Sequence, residues 1–333
     1  MAVTATVTEQ PIFASRRLGH VNLIVDELQR STDFYNKVCG LALEFSEVGL
    51  KANFLGTGHT PHDIGMIECT HGKDRYGKDG HLQIPASAAA DVALNHIAWE
   101  MSNEAELVAG YERACAAGIE ISRTADHQIA HSVYMRDPDA NVVEFYSDTV
   151  KDWRNVLHGE VDLITSRWDP SQSNRSEVPL YDSNPQIRVV PEAPVHPRRL
   201  THAVLGTHDV GAMCAFYENI GGLIPVYRQG DDLVLLRGSH TGYRYHLAIV
   251  SAPDHKPGLH HFSLEVADRA ALEASSQELQ RRGFAVEKEF DGPLKQSLFL
   301  IDPDGFRIEF FTSKDGNHSV LRSQKLSELS FLV

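Results

Sequence analysis

Four cysteines in 333 residues, Cys39, Cys69, Cys115 and Cys214, share no CxxC spacing. A disulfide framework or a thiolate metal site needs paired or clustered cysteines, so reduced thiols in a cytoplasmic protein are expected. Basic residues are scarce: 31 Lys and Arg stand against 45 Asp and Glu, a net charge of −14. That balance argues against a nucleic-acid partner, which requires clustered cations to neutralise phosphates. No apolar run approaches the ~20 residues of a membrane-spanning helix. The opening MAVTATVTEQPIFASRR has no basic region ahead of an apolar core, so no secretory signal is expected. What is present is ordinary for a soluble globular protein, with 42% hydrophobic and 23% charged residues. The length suggests two domains.

The chain repeats itself. LGHVNLIVDELQRSTDFYNKVCGL from Leu18 pairs with LTHAVLGTHDVGAMCAFYENIGGL from Leu200, so His20 falls on His202. LNHIAWEM pairs with LHHFSLEV, placing His96 on His261, and DPDANVVEF pairs with DPDGFRIEF, placing Glu144 on Glu309. The first pairing is offset by 182 positions and the later two by 165, so the first half carries 17 extra residues before His96. Their expected place is the polar segment Thr70 to Ala93, a surface insertion of the kind that forms lids.

Each half divides again. GHVNLIV and NHIAWEM alternate apolar residues as strands do, and helices are expected after each, over 27–38 and 104–117. Leu107, Tyr111 and Cys115 share one helix face, and Gly118 is the expected stop. The final strand NVVEFYS follows the turn at Asp137-Pro138-Asp139. The pattern is α+β: two domains, each a pair of βαβββ modules. The expected boundaries are an N-terminal extension over 1–16, module pairs over 17–150 and 199–313, a linker over 151–198 rich in Pro, Ser and Asn, and a tail over 314–333 able to form a short helix.

A histidine on the first strand of two modules, a glutamate on a last strand, and the FYxxxxGL and DPDxxxxEF elements together resemble the vicinal oxygen chelate superfamily. The resemblance covers about Arg17 to Ser147 and Arg199 to Ser313. It implies cup-shaped half-barrels around a metal, but not a reaction. Within it, His127, Val133-Tyr134, Asp137-Pro138 and Glu144 are similar to the type I extradiol ring-cleaving dioxygenases. Ala140 is a departure, standing where that family usually has glycine.

The resemblance implies that His20, His96 and Glu144 form a 2-His-1-carboxylate triad on Fe(II), with Mn(II) as alternative, leaving three coordination positions for a catechol and O2. His62, ahead of a short strand and aligned with Tyr245, is implied as acid/base, since a neutral imidazole can take and return protons near neutral pH. His127 and Tyr134 are implied donors that orient bound species; His131 falls at a spacer position and is expected to be accessory or structural. In the C-terminal half His202, His261 and Glu309 form a runner-up metal set, with His260 the alternative one residue away. There, however, His127, His131 and Tyr134 become Gly292, Gln296 and Phe299. Catalysis is therefore expected in the N-terminal half, whereas two-domain extradiol enzymes usually use the C-terminal one.

The expected partner is a small aromatic diol, in a homo-oligomer, serving aromatic degradation. The competing enzyme class is a glyoxalase-like isomerase or lyase on Zn, Ni or Mn, which needs a fourth protein ligand, for which Glu68 is the candidate. A non-enzymatic ligand-binding protein of the same fold is the third possibility.

Overall fold

The computed structural model describes residues 10–333, so 1–9 of the expected extension lie outside the described residues. The first module runs β1 (Arg17–Val25), α1 (Leu28–Lys37), β2 (Ala42–Glu47), β3 (Ala52–Gly56) and β4 (Ile64–Glu68). A small hairpin of β5 (Arg75–Tyr76) and β6 (Leu82–Ile84) follows. The second module is β7 (Ala93–Glu100), α2 (Glu104–Ala116), β8 (Arg123–Asp126), β9 (Ala130–Arg136) and β10 (Val142–Asp148). The C-terminal half repeats both, as β12 (Pro197–Thr207), α3 (Val210–Asn219), β13 (Ile224–Gln229), β14 (Leu233–Arg237) and β15 (Leu247–Ser251), then β16 (Gly258–Val266), α4 (Arg269–Arg281), β17 (Lys288–Asp291), β18 (Lys295–Ile301) and β19 (Arg307–Ser313). The four-module architecture expected from the repeat is the one observed. The segment expected as linker carries β11 (Gly159–Val161), which pairs in parallel with β2, and two short 3-10 turns, Trp153–Asn155 and Pro170–Gln172.

The sheets are ordered β11-β2-β3-β4-β1-β7-β10-β9-β8 and β13-β14-β15-β12-β16-β19-β18-β17. In each, the first strands of the two modules lie side by side and antiparallel at the centre. Register shifts between Leu18 and His20, and between Leu200 and His202, put an irregularity beside each first-strand histidine. Such bulges re-aim a side chain, here toward the hollow of the sheet. Strand alternation does the sorting: Leu18, Val21, Leu23 and Val25 enter the core, while His20 and Asn22 face the opposite side.

One hydrophobic core joins the halves, including Phe13, Tyr35, Trp99, Tyr217 and Phe262. The repeated FY element lies here. The Tyr35 hydroxyl donates to Asp302 Oδ2 at 2.9 Å, and Tyr217 donates to Asp137 Oδ2 at 3.0 Å, so each half's helix tyrosine reaches the other half's Asp-Pro-Asp turn. The tail forms α5 (Leu326–Leu332), whose Leu329 and Leu332, with Val333, are buried against the second sheet's hollow. Among the described residues no helix is long and apolar enough to cross a membrane.

Candidate metal centre

β1, β7 and β10 are adjacent in the first sheet, and each sends one donor into its hollow. His20 Nε2 lies 3.2 Å from His96 Nε2 and 3.1 Å from Glu144 Oε2, and His96 Nε2 lies 2.9 Å from Glu144 Oε2. All three residues are buried. Cis donors of an octahedral ion with bonds of about 2.1 Å stand about 3.0 Å apart, so this spacing fits one face of an octahedron. The remaining atoms are tied back. Asn95 Oδ1 is 2.5 Å from His96 Nδ1, which fixes that nitrogen as the protonated one and leaves the Nε2 lone pair for a cation. Ser132 Oγ donates to Glu144 Oε1 at 2.5 Å, leaving Oε2 with the histidines. Burial alone raises the Glu144 carboxyl, but His20 and His96 hold it well below the usual carboxylate range. The donor set therefore fits a divalent metal with one negative charge and further positions facing the cavity.

That cavity measures about 520 Å³. His62 sits on its wall just ahead of β4, its ring centroid 4.1 Å from that of His20. Both ring nitrogens are buried, and neither finds a hydrogen-bond partner among the described residues. Burial, reinforced by His20, keeps it neutral by lowering its pKa well below the ordinary imidazole value. His127 Nε2 and the Tyr134 hydroxyl pair at 2.9 Å on the same wall. Burial pushes His127 down to about 4 and raises Tyr134 well above the phenol range. The structure thus brings His20, His62, His96, His127, Tyr134 and Glu144 to one cavity. His131 is not among them: its Nδ1 meets Glu104 at 2.8 Å and its ring stacks on Trp168, on the other face of β9. Glu68 is also outside, held by Lys51 Nζ at 2.5 Å.

Besides Asn95 and Ser132, sequence reasoning missed several contributors. Thr165 Oγ1 stands 3.0 Å from His127 Nδ1, and it comes from the segment expected to be only a linker. That segment is anchored by Glu47, which accepts from the Ile164 backbone N–H at 3.0 Å; burial raises the Glu47 carboxyl to about 7. Tyr146 packs its ring against His20, and a Cβ at residue 19 would collide with its hydroxyl, so glycine is required there. The inserted segment is more than a surface lid: Leu82, Gln83, Ile84, Pro85 and Ala88 line the cavity, and Ile84 and Ala89 are buried.

The repeat-equivalent triad is also assembled. His202 and His261 stand 3.6 and 3.5 Å from Glu309 Oε2, and all three are buried. Its surroundings differ, since Lys295 projects into it from the position that Ala130 holds in the first half.

With fold and site in view, the lineage is plain. The profile of the Glyoxalase/Bleomycin resistance protein/Dioxygenase superfamily matches residues 17–145 and 199–310, and the chain belongs to that superfamily. It is 24% identical to a lactoylglutathione lyase of Schizosaccharomyces pombe over 90% of this chain and 97% of the relative. It is 28% identical to biphenyl-2,3-diol 1,2-dioxygenase 3 of Rhodococcus globerulus over 46% of this chain and 78% of the relative. Among solved structures, a mutant of homoprotocatechuate 2,3-dioxygenase from Brevibacterium fuscum superposes with a TM-score of 0.63 at 16% identity, covering 94% of this chain and 76% of that one.

Proposed function

We propose that the chain is an Fe(II)-dependent extradiol dioxygenase, with Mn(II) as the alternative ion, cleaving a catechol that bears a bulky apolar substituent. The observation that carries this reading is the pairing of a three-donor centre with an unpartnered neutral histidine across the same cavity. Among the described residues no fourth carboxylate joins His20, His96 and Glu144, and Glu68 is engaged elsewhere. An isomerase of the glyoxalase type calls for that fourth donor.

Iron held by His20, His96 and Glu144 would supply Lewis-acid and redox chemistry for the reaction of a catechol with dioxygen. The remaining work belongs to side chains. His62, neutral and without a protein partner, accepts a catechol proton at a ring nitrogen and returns it as the ring opens. Tyr134 and His127, bonded to each other, orient a catechol oxygen, and the Thr165 hydroxyl holds the His127 ring from its other nitrogen. Both atoms of O2 enter the product, so no other oxidant is needed. The substituent is accommodated by Phe45, Leu50, Phe54, Ile67, Ile84 and Ile164 on the cavity wall. A volume of about 520 Å³ lies within the range of sites that enclose drug-sized molecules, more than a bare diol fills.

The second reading, a glyoxalase-like isomerase or lyase, draws on the similarity to the lactoylglutathione lyase over nearly the whole chain. The two separate on one panel: oxygen uptake and a yellow ring-opened product from aryl-substituted catechols support the first, while isomerisation of the thiol adduct of an α-ketoaldehyde without oxygen uptake supports the second.

A further inference from the structure

The C-terminal triad repeats the N-terminal one residue for residue, yet its carboxylate is already fully engaged. Lys295 Nζ lies 2.6 Å from Glu309 Oε1 and 2.7 Å from Oε2. Ser297 Oγ donates to Oε1 at 2.5 Å and Ser263 Oγ to Oε2 at 2.6 Å. A carboxylate has roughly four lone-pair sites, and all are taken. In the N-terminal centre Ser132 occupies Oε1, and Oε2 meets the two histidines. Two aligned positions differ: Lys295 stands against Ala130, each the first residue of its strand, and Ser263 stands against Ala98.

Of the two imidazoles, His202 is engaged at both nitrogens, whereas His261 Nε2 has no hydrogen-bond partner among the described residues. His202 Nδ1 meets Thr201 Oγ1 at 2.8 Å, and the Tyr245 hydroxyl stands 3.4 Å from His202 Nε2. The two His–Glu distances, 3.5 and 3.6 Å, exceed the 2.9 and 3.1 Å of the first centre. The hollow is also stoppered. Phe331 of α5 packs against His260 and Phe299, and Leu332 and Val333 are buried beside them. A cavity of about 210 Å³ remains, less than half that of the first centre.

We propose that the Lys295 ammonium is the built-in cation of the C-terminal centre: it takes the place of a metal, the chain accordingly holds a single divalent ion, and removing the lysine uncovers a second metal site. Lys295 and Glu309 are both buried and carry opposite charges, so the pair compensates itself. Without the ammonium, a buried anion with two imidazoles beside it is left, which is the donor set of the first centre. The inference concerns metal count and does not depend on which reaction the first centre performs.

The test is Mn(II) stoichiometry by elemental mass spectrometry on the full chain, loaded and desalted. Wild type should hold one ion per chain, His96→Ala none and His261→Ala one. Lys295→Ala should hold two, returning to one in Lys295→Ala/His261→Ala. Two ions in wild type, with one lost in His261→Ala, would overturn the proposal; so would a folded Lys295→Ala that still holds one. If Lys295→Ala does not fold, the pair Lys295→Met/Glu309→Gln, which removes both charges, should restore folding with one ion; failure of that pair also to fold contradicts the ion-pair role. A wild-type count of zero contradicts the N-terminal centre instead, and the gain of one ion on replacing Lys295 still reads this inference.

Discussion

Replacing His62 with glutamine keeps a polar side chain of similar length but removes, among the described residues, the one histidine on the cavity wall with both nitrogens unpartnered and a neutral, proton-accepting ring. The substitution leaves the three donors intact, since His62 touches His20 only through ring packing at 4.1 Å between centroids. Metal content should therefore stay near that of wild type. Turnover should fall by ~10²–10⁴-fold, the scale of a positioned acid/base, which corresponds to about 3–5 kcal/mol of barrier. The loss should appear in kcat more than in KM, because the catechol is already placed when the proton moves. Burial holds the His62 pKa well below 6.5, so the ring remains an acceptor as pH drops from 8 to 6, and wild-type kcat should not fall over that window through protonation of this group. The assay is steady-state oxygen uptake on an aryl-substituted catechol with iron-loaded protein, with metal measured on the same samples. A His62→Gln variant that turns over at the wild-type rate with full metal would remove the residue from the mechanism.

Thr165→Val should lower turnover ~10–100-fold, the usual effect of losing a partner behind a functional imidazole, with metal content unchanged; oxygen uptake checks it. Ala140 sits at φ 66°, where the repeat has Gly305 at φ 94°. Left-handed backbone costs an L-residue ~1–2 kcal/mol and the freer unfolded glycine chain returns ~0.4–1 kcal/mol of that, so Ala140→Gly should raise stability by a few tenths to about 1 kcal/mol in denaturant titration. Tyr35→Phe removes the donor to buried Asp302 and should cost ~1–3 kcal/mol. Burial raises the Asp302 carboxyl to about 6, above its unfolded value near 3.9. This group's contribution therefore declines as pH rises from about 4 to 6, and loss of the hydroxyl, which supports the anion, should cost more at pH 8 than at pH 5. Equal cost at both pH values would refute that assignment.

The repeat made most of the frame readable, because matched histidines and glutamates at constant offsets identify equivalent strands. His20, His96 and Glu144 were legible for that reason, as was the pairing of His62 with Tyr245, which agrees with the register of β1 on β4 and of β12 on β15. What surrounds the donors was less legible. Ser132 recurs as Ser297 at the offset that joins Glu144 to Glu309, a signal present in the alignment but hidden by how common serine is. Thr165 arrives from a segment without periodicity, placed by a three-residue strand and by the Glu47 carboxylate; no pattern of spacing encodes such a contact. The insertion read as surface because it is polar, yet two short strands bury Ile84 and turn Leu82 to Pro85 into a cavity wall. Lys295 was visible opposite Ala130, but a lysine ammonium at a buried glutamate is a fact of three-dimensional packing. Tyr35 and Tyr217 carried the superfamily signature, and their reach across to the opposite half became apparent only in the fold.

The most direct test of the central claim is oxygen consumed per catechol by the Fe(II)-loaded full chain, recorded together with visible absorbance. One O2 per ring and a yellow ring-opened product are expected, with both signals abolished in His96→Ala and retained in His202→Ala. Absence of oxygen uptake across aryl-substituted and simple catechols in protein holding its metal, or activity that disappears in His202→Ala with its fold preserved and survives in His96→Ala, would contradict it.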